Sequence, residues 1–369
     1  MTCDFFSVAT KGVQGLHPYQ PGKPVDELER ELGITGIVKL ASNENPLGPS
    51  PKALKAIEGA FQDLCRYPDG NGFRLKDALA KRYQLEINQV TLGNGSNDLL
   101  EIIARVFADS SSEIIFSQYA FAVYPIVTQA IGAKSVEVPA ADWGHDLDAM
   151  AKAITDKTKL IFIANPNNPT GTYVKAEEIN RFMGLVPENV IVVLDEAYGE
   201  YIDASCVDFP DGIELLNKHS NLIITRTFSK AWGLASLRVG YALSNSDIAD
   251  LLNRVRQPFN VDTFALEAAA AVLGDDDYLE RSRKTNKEGM AQLIDGFVLL
   301  GLSYIPSVGN FITFDTGQDG MTVFQALLQK GVIVRPVANY GMPQHLRVSI
   351  GLQQENSRFL EALKEVLGS

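Results

Sequence analysis

The chain reads as an α/β protein: a mainly parallel sheet of seven strands covered by helices on both faces, joined to a smaller α+β domain. Two observations predict this. Seven short β-branched runs are mostly separated by segments with helical spacing, as in a doubly covered parallel sheet. Beyond about residue 263 the alternation gives way to two helical stretches, a few strands and a last helix. With 369 residues and 46% hydrophobic composition, the chain can bury a substantial core and form two domains that share an interface.

The elements follow in order. Residues 1–39, containing "HPYQPGKP", read as an arm packing on the smaller domain. Pro51 opens the helix "KALKAIEGAF", since proline suits a first helical turn. "VTLG" (90–93) is the first strand, and Ser96-Asn97-Asp98 then open the helix "LLEIIARVFA". Further strands are expected at "EIIFS" (113–117), "KSVEV" (134–138), "KLIFIAN" (159–165), "VIVVLDEA" (190–197), "NLIITRT" (221–227) and "LRVGYAL" (237–243). These place a large domain over residues 40–265. The helical stretches "TFALEAAAAVL" and "RSRKTNKEGMAQLIDGFVLL", the strands "NFITFD", "VIVRP" and "LRVSIG", and the helix "ENSRFLEALKEVL" assign 266–369 to the smaller domain.

Composition excludes several classes. A formal net charge of -12 would repel a phosphate backbone, so a nucleic-acid partner is not expected. Three cysteines in no paired spacing suggest neither a disulfide framework nor a zinc site, and the four histidines include no close pair for a metal. The N-terminus lacks an export signal and no apolar run reaches membrane-spanning length. The expectation is a soluble cytoplasmic enzyme without a metal.

In open α/β sheets, ligands sit beyond the carboxyl ends of the strands, so chemistry is sought there. "GNGSND" follows the first strand: its glycines let backbone N–H groups approach an anion, and Ser96 and Asn97 begin a helix whose N-terminus favours phosphate. Alone it is equally an ordinary turn. "NPNNPTG" (165–171) is stiffened by two prolines and offers Asn165 and Asn168 amides at fixed positions. "LDEAY" puts Asp195 at the tip of a buried strand, where a carboxylate needs a cationic partner or a helix N-terminus to cap. Lys230 follows the next strand among small and apolar neighbours, with Arg238 eight residues on. Singly, that lysine and arginine read as solvated surface residues. Together with Asp195 and the phosphate turn, they suit an aldehyde cofactor that carries a phosphate and a pyridine nitrogen.

The succession "NPNNPTG", "DEAY", "TFSK", "GLASLRVG" resembles the fold-type I pyridoxal-phosphate aminotransferases, over essentially the whole chain. Within that family, "KLASNENPLGPSPKAL", "RYPDGNGFRLKDAL", "SQYAFAVY" and "VIVRPVANYGMPQHLRVSIG" are similar to the branch that acts on histidinol phosphate. The resemblance implies pyridoxal phosphate as cofactor, with Lys230 condensing with its aldehyde and Asp195 pairing with its protonated ring nitrogen. It implies that Asn168 and Tyr198 bond the ring's phenolic oxygen and Phe121 stacks on the ring. Ser96, Asn97, Thr227, Ser229 and Arg238 would hold the phosphate, and Tyr67 would reach it from the other subunit of a homodimer. Arg335 and Arg347 would take the substrate's anionic end, with Tyr19 and Asn43 to Asn45 nearby.

The family often has proline and then threonine or serine before its stacking aromatic. Here Tyr119 and Ala120 precede Phe121, so Tyr119 remains an alternative ring. The implied substrates are histidinol phosphate and the 2-oxoglutarate/glutamate pair. Aromatic amino-acid transamination is the alternative, and decarboxylation of an amino-acid phosphate a more distant one.

Overall fold

The seven β-rich runs form one sheet in the computed structural model, which describes residues 3–17, 22–203 and 205–368. The strands are β1 (Val90–Gly93), β2 (Glu113–Ser117), β3 (Lys134–Val138), β4 (Thr158–Ala164), β5 (Ile191–Asp195), β6 (Leu222–Thr227) and β7 (Gly240–Leu243). Their order across the sheet is β1-β7-β6-β5-β4-β2-β3. Only β7 runs antiparallel to its neighbours, pairing Thr227 with Gly240 on one side and Gly93 with Gly240 on the other. That reversal explains why β7 starts later than the run "LRVGYAL" suggests. Ala235–Leu237 form a single 3-10 turn, and Arg238 adopts φ 48°, left-handed backbone that no strand can carry.

Strand alternation divides the core between the two faces. Ile191 and Val193 of β5, with Ile223 of β6, pack beneath the helices Ser96–Phe107 and Ser246–Val255. Val192 and Leu194, with Leu222 and Ile224, face the opposite layer, which includes Leu75, Leu79, Ile179 and Phe182. Val192, Val193 and Leu194 are completely buried. Each such side chain contributes about 2 kcal/mol, so a few of them offset the several kcal/mol that a buried carboxylate at the strand tip costs.

The chain after the 24-residue helix Asp276–Leu299 builds a second, antiparallel sheet. It comprises β8 (Tyr304–Ile305), β9 (Phe311–Asp315), β10 (Arg335–Pro336) and β11 (His345–Ser349), in the order β10-β11-β9-β8. Its core of Ile312, Phe314, Leu346, Val348, Phe297 and Phe359 lies between this sheet and the helices Asp276–Leu299 and Gln353–Leu367. Val38–Lys39 pair in parallel with Val332–Ile333, and Leu28 of the helix Val25–Leu32 packs on Ala41, Leu328 and Ile333. The segment 41–45 is thereby delivered between the two sheets. No helix among the described residues is long and apolar enough to cross a membrane.

Candidate active site

A cavity of about 190 Å³ opens beyond the carboxyl ends of the large sheet's strands. Ser96 and Asn97 reach it from the turn after β1, Phe121 from the loop after β2, and Asn168 from the loop after β4. Asp195 and Tyr198 come from the end of β5, and Thr227, Ser229, Lys230 and Arg238 from β6 and the chain after it. Arg335 and Arg347 complete it from β10 and β11, where they are cross-strand register partners.

Lys230 is held by a tight turn whose other side chains face inward. Phe228, Ala231 and Trp232 are fully buried, and Gly233 N–H donates to the Lys230 carbonyl at 3.0 Å. Gly233 must be glycine on two counts: its φ is +70°, and a Cβ would lie 2.2 Å from the Tyr278 hydroxyl oxygen and 2.9 Å from the Gly48 carbonyl oxygen. The Lys230 Nζ donates to the Ser42 carbonyl at 2.9 Å. Burial lowers its pKa from 10.5 to about 7; the positive charges of Arg347 and Arg238 act in the same direction, against Glu44. The amine is therefore neutral for about half the time near pH 7, which a nucleophilic lysine requires.

Asp195 ends β5 on the face of Ile191 and Val193. Its hydrogen-bond partners are neutral: Tyr124 Oη donates at 2.9 Å and Thr225 Oγ1, on its register partner in β6, at 3.1 Å. Burial pushes its pKa up to about 6, partly opposed by those hydrogen bonds. Its negative charge is thus supported by dipoles and faces a ligand-sized cavity.

At another side of the cavity lies an anion cradle. The helix Ser96–Phe107 begins after Gly95, whose φ is +83°, and no side chain caps its first N–H groups. A Cβ on Gly95 would sit 2.5 Å from an Arg238 guanidinium nitrogen, and one on Gly240 would sit 2.7 Å from the Ser96 nitrogen. Both positions must stay bare for the arginine and the helix start to meet. Arg238 Nη1 donates to Ser229 Oγ at 3.1 Å and to the Ala235 carbonyl at 2.9 Å; Ser229 N–H donates to Thr227 Oγ1 at 3.1 Å. Free N–H dipoles, hydroxyls and a guanidinium thus converge in one place.

The remaining wall is a polar lattice around Tyr198. Its hydroxyl accepts from Asn168 Nδ2 at 3.0 Å and from Asn43 Nδ2 at 2.9 Å, and burial raises its pKa to about 12. Arg347 Nη1 donates to Asn168 Oδ1 at 2.6 Å and Nη2 to the Ala41 carbonyl at 2.7 Å, with the guanidinium over the Phe311 ring. Arg335 also borders an adjoining larger space beside Lys23 and Phe324.

Four sequence-selected residues stand outside this group, the first being Asn165, whose amide bonds the Val174 backbone. Asn45 turns its amide to the Ala231 carbonyl, Tyr278 and Ser282, whereas Asn43, two residues earlier, lines the cavity. Tyr67 is 82% exposed and stacks on Phe259 at 4.7 Å, on an outer surface of the chain. Tyr119 packs against Trp143 at 5.2 Å, whereas Phe121 borders the cavity with its edge to Tyr124. Tyr19 lies outside the described residues.

Residues 35–363 match the family model described as aminotransferase class I and II. The chain belongs to the class I and II aminotransferases. It is 62% identical, over all of its length and 99% of the relative's, to histidinol-phosphate aminotransferase 2 of Pseudomonas fluorescens. To the protein of that name in Pseudomonas aeruginosa it is 61% identical, with 99% of both chains covered. Its fold is similar to a histidinol-phosphate aminotransferase from Sinorhizobium meliloti, solved with pyridoxal-5'-phosphate: TM-score 0.89, 31% identity, 97% of each chain.

Sequence reasoning missed several groups that hold the cavity residues of this aminotransferase in place. Thr225 was within reach of it, because alternation along β6 puts Thr225 and Thr227 on the same face as Asp195. Tyr124 was not: nothing local marks a tyrosine in the first turn of the helix Val123–Ala130 as the donor to a carboxylate 71 residues away. The Ala41 and Ser42 carbonyls act through the backbone, which leaves no trace in residue type.

Proposed function

We propose that this aminotransferase uses pyridoxal phosphate to exchange an amine between histidinol phosphate and 2-oxoglutarate, giving imidazole acetol phosphate and glutamate, a step of L-histidine biosynthesis. One observation carries the reading. A lysine near pKa 7, a buried carboxylate with only neutral hydrogen-bond partners and an anion cradle border the same cavity. The groups match the aldehyde, the ring nitrogen and the phosphate of that cofactor. The glycine positions support the fit, because a side chain at Gly95 or Gly240 would fill the place where the cradle forms.

When bound, pyridoxal phosphate supplies an aldehyde that carries the amine and a ring that spreads the electrons left when the substrate carbon loses its proton. The chain's residues do the rest. Lys230 Nζ, available as the neutral amine, would hold the cofactor's aldehyde and, when free, would serve as the base that moves the proton of the amine-bearing carbon. The Asp195 carboxylate would hold the ring nitrogen protonated, with Tyr124 and Thr225 fixing its plane. Asn168 and Tyr198 orient the ring through its phenolic oxygen, and Phe121 covers its face.

Ser96, Asn97, Thr227, Ser229 and Arg238 bind the cofactor phosphate. Arg335 and Arg347 take the substrate's phosphate or carboxylate, both of which suit a guanidinium fork. Tyr198 keeps its proton throughout, since its pKa lies far above neutrality.

The working unit is a homodimer in which Tyr67 reaches the phosphate bound by the other subunit. Support comes from exposed apolar side chains: Phe61, Leu64 and Phe73, close to Tyr67 in sequence, and Phe259 stacked on its ring are all more than 40% exposed, as residues that a second copy would cover.

The deciding experiment is kcat/KM for histidinol phosphate beside phenylalanine, with 2-oxoglutarate as acceptor, since that ratio measures discrimination between substrates. A ratio well above one for histidinol phosphate is expected. A higher value for phenylalanine would replace this substrate with aromatic amino acids.

A further inference from the structure

The turn that begins the phosphate-binding helix is tied, through side chains, to the loop that carries Tyr67. Asp98 Oδ2 accepts the Asn94 N–H at 2.8 Å, closing the turn from inside the helix's first turn. The same oxygen accepts from Asn260 Nδ2 at 3.0 Å, and that amide also donates to the Leu92 carbonyl at the end of β1, at 3.2 Å. Asn260 Oδ1 accepts from Arg256 Nη1 at 2.6 Å. The other terminal nitrogen, Arg256 Nη2, donates to the Gly70 carbonyl at 2.8 Å, three residues from Tyr67.

Each link is held in geometry by something else. Arg256 Nε donates to Asn253 Oδ1 at 3.1 Å, which uses the third side of the guanidinium and fixes its plane. Asp69 closes the Tyr67 loop on itself, accepting from Asn71 N–H at 2.9 Å and Phe73 N–H at 2.8 Å. The ring of Phe259, next to Asn260 in the chain, lies under Tyr67 itself and against Gly70. Lys76 is buried beside Arg256 and Asp69, its pKa lowered to about 8 chiefly by desolvation and then by the Arg256 charge. A buried lysine and a half-buried arginine are retained next to a loop whose backbone the arginine grips, although removing such charges from water is costly.

We propose that Arg256 and Asn260 are positioning residues that set the loop carrying Tyr67 by reference to this subunit's own phosphate turn. This rests on the reading that Tyr67 serves the phosphate bound by the other subunit. The two ends of the relay then belong to different active sites: the Asp98 end shapes the cradle at home, and the Gly70 end aims a hydroxyl at the cradle across the interface. Cofactor held in one site favours the arrangement that presents Tyr67 to the other, and linkage requires the effect to be mutual.

The test is a double-mutant cycle on the full-length dimer, with pyridoxal phosphate affinity of the cofactor-free protein as readout and dimer mass and Tm measured alongside. Tyr67→Phe and Arg256→Met are each expected to weaken cofactor binding about tenfold, and the double variant no more than the stronger single one, because both act through one contact. Asn260→Ala cuts the relay one link further on and should show the same non-additivity with Tyr67→Phe; it decides the matter if Arg256→Met does not fold. Multiplying effects would overturn the relay while leaving the role of Tyr67 standing. A Tyr67→Phe variant that binds cofactor normally would remove the cross-subunit role and the relay with it.

Discussion

The two faces of the sheet at the ends of β5 and β6 treat charge in opposite ways. On the cavity face, Asp195 has the neutral hydroxyls of Tyr124 and Thr225 for partners. One residue further, on the opposite face, Glu196 is buried with Arg226, whose Nε donates at 2.8 Å and whose Nη2 lies 2.7 Å away. Alternation explains the sorting: Thr225 and Thr227 point to the cavity and Arg226 away from it, onto the ring of Tyr83. Glu200 lies on the same side, accepting from Trp232 Nε1. Charges on the closed face are spent on structure, whereas those on the open face are left for a ligand to neutralise. An open-face substitution should therefore change chemistry with little loss of stability, and a closed-face substitution the reverse.

The largest effect expected is that of Lys230→Ala, which removes the open-face amine. Turnover should fall on the order of 10⁴-fold or more, and the visible absorbance of lysine-linked cofactor should vanish. Tm should stay level or rise, because the wild-type lysine is held where its charged form is disfavoured. A variant that turned over normally would refute the lysine's role; one that unfolded would refute the contrast between faces.

The pH dependence follows from the same residue. Only the neutral amine attacks the aldehyde, so the rate at which cofactor-free protein takes up pyridoxal phosphate should rise with pH to a plateau, with its midpoint near 7. An ordinary lysine, with pKa 10.5, would be roughly 10³-fold less reactive at pH 7 and still gaining tenfold per pH unit above it. Stability has a matching sign. The folded pKa lies below the unfolded one, so between about pH 7 and 10.5 the unfolded chain binds more protons at this residue, whose contribution favours folding increasingly as pH rises. A midpoint near 10 in the uptake rate would show that the pocket does not tune the amine.

Neighbouring carboxylates allow the sharpest contrast. Asp195→Asn keeps the shape and removes the charge that holds the ring nitrogen protonated; kcat/KM should drop by about 10²- to 10³-fold with Tm nearly unchanged. Glu196→Gln leaves Arg226 buried without its counter-charge and should cost about 3 kcal/mol of stability, read as a lower Tm, with cofactor affinity preserved. Equal Tm losses in both variants would erase the distinction.

This distinction also marks how far the sequence could be read. All seven strands were legible, six of them because a buried strand is a near-continuous apolar run and β3, at the exposed sheet edge, from its β-branched residues between charged ones; β7 alone began three residues later than its run, owing to the left-handed Arg238. Asp195 stood out as a charge where charges are costly, and Lys230 and Arg238 gained meaning only in combination with it and the phosphate turn. Glu196 and Arg226 carry the same signal and were passed over, since a buried ion pair between β5 and β6 appears only once the strands are neighbours. Asn45 was grouped with Asn43, but the positive φ of Asn43 turns the chain between them and sends the two amides to different partners.

The smallest effect tests the open face where it is apolar. Two aromatic rings lie close in sequence in the loop after β2, and the structure separates them: Tyr119 packs against Trp143 away from the cavity, and Phe121 lines it together with Asp195. A ring stacked on a cofactor is worth about 1 kcal/mol beyond its buried area. Phe121→Leu should therefore weaken pyridoxal phosphate binding roughly fivefold and leave Tm almost unchanged, while Tyr119→Phe should leave cofactor affinity unaltered. The reverse pattern would mean that the loop after β2 rearranges on binding to bring Tyr119 over the ring, and would transfer the stacking role to it.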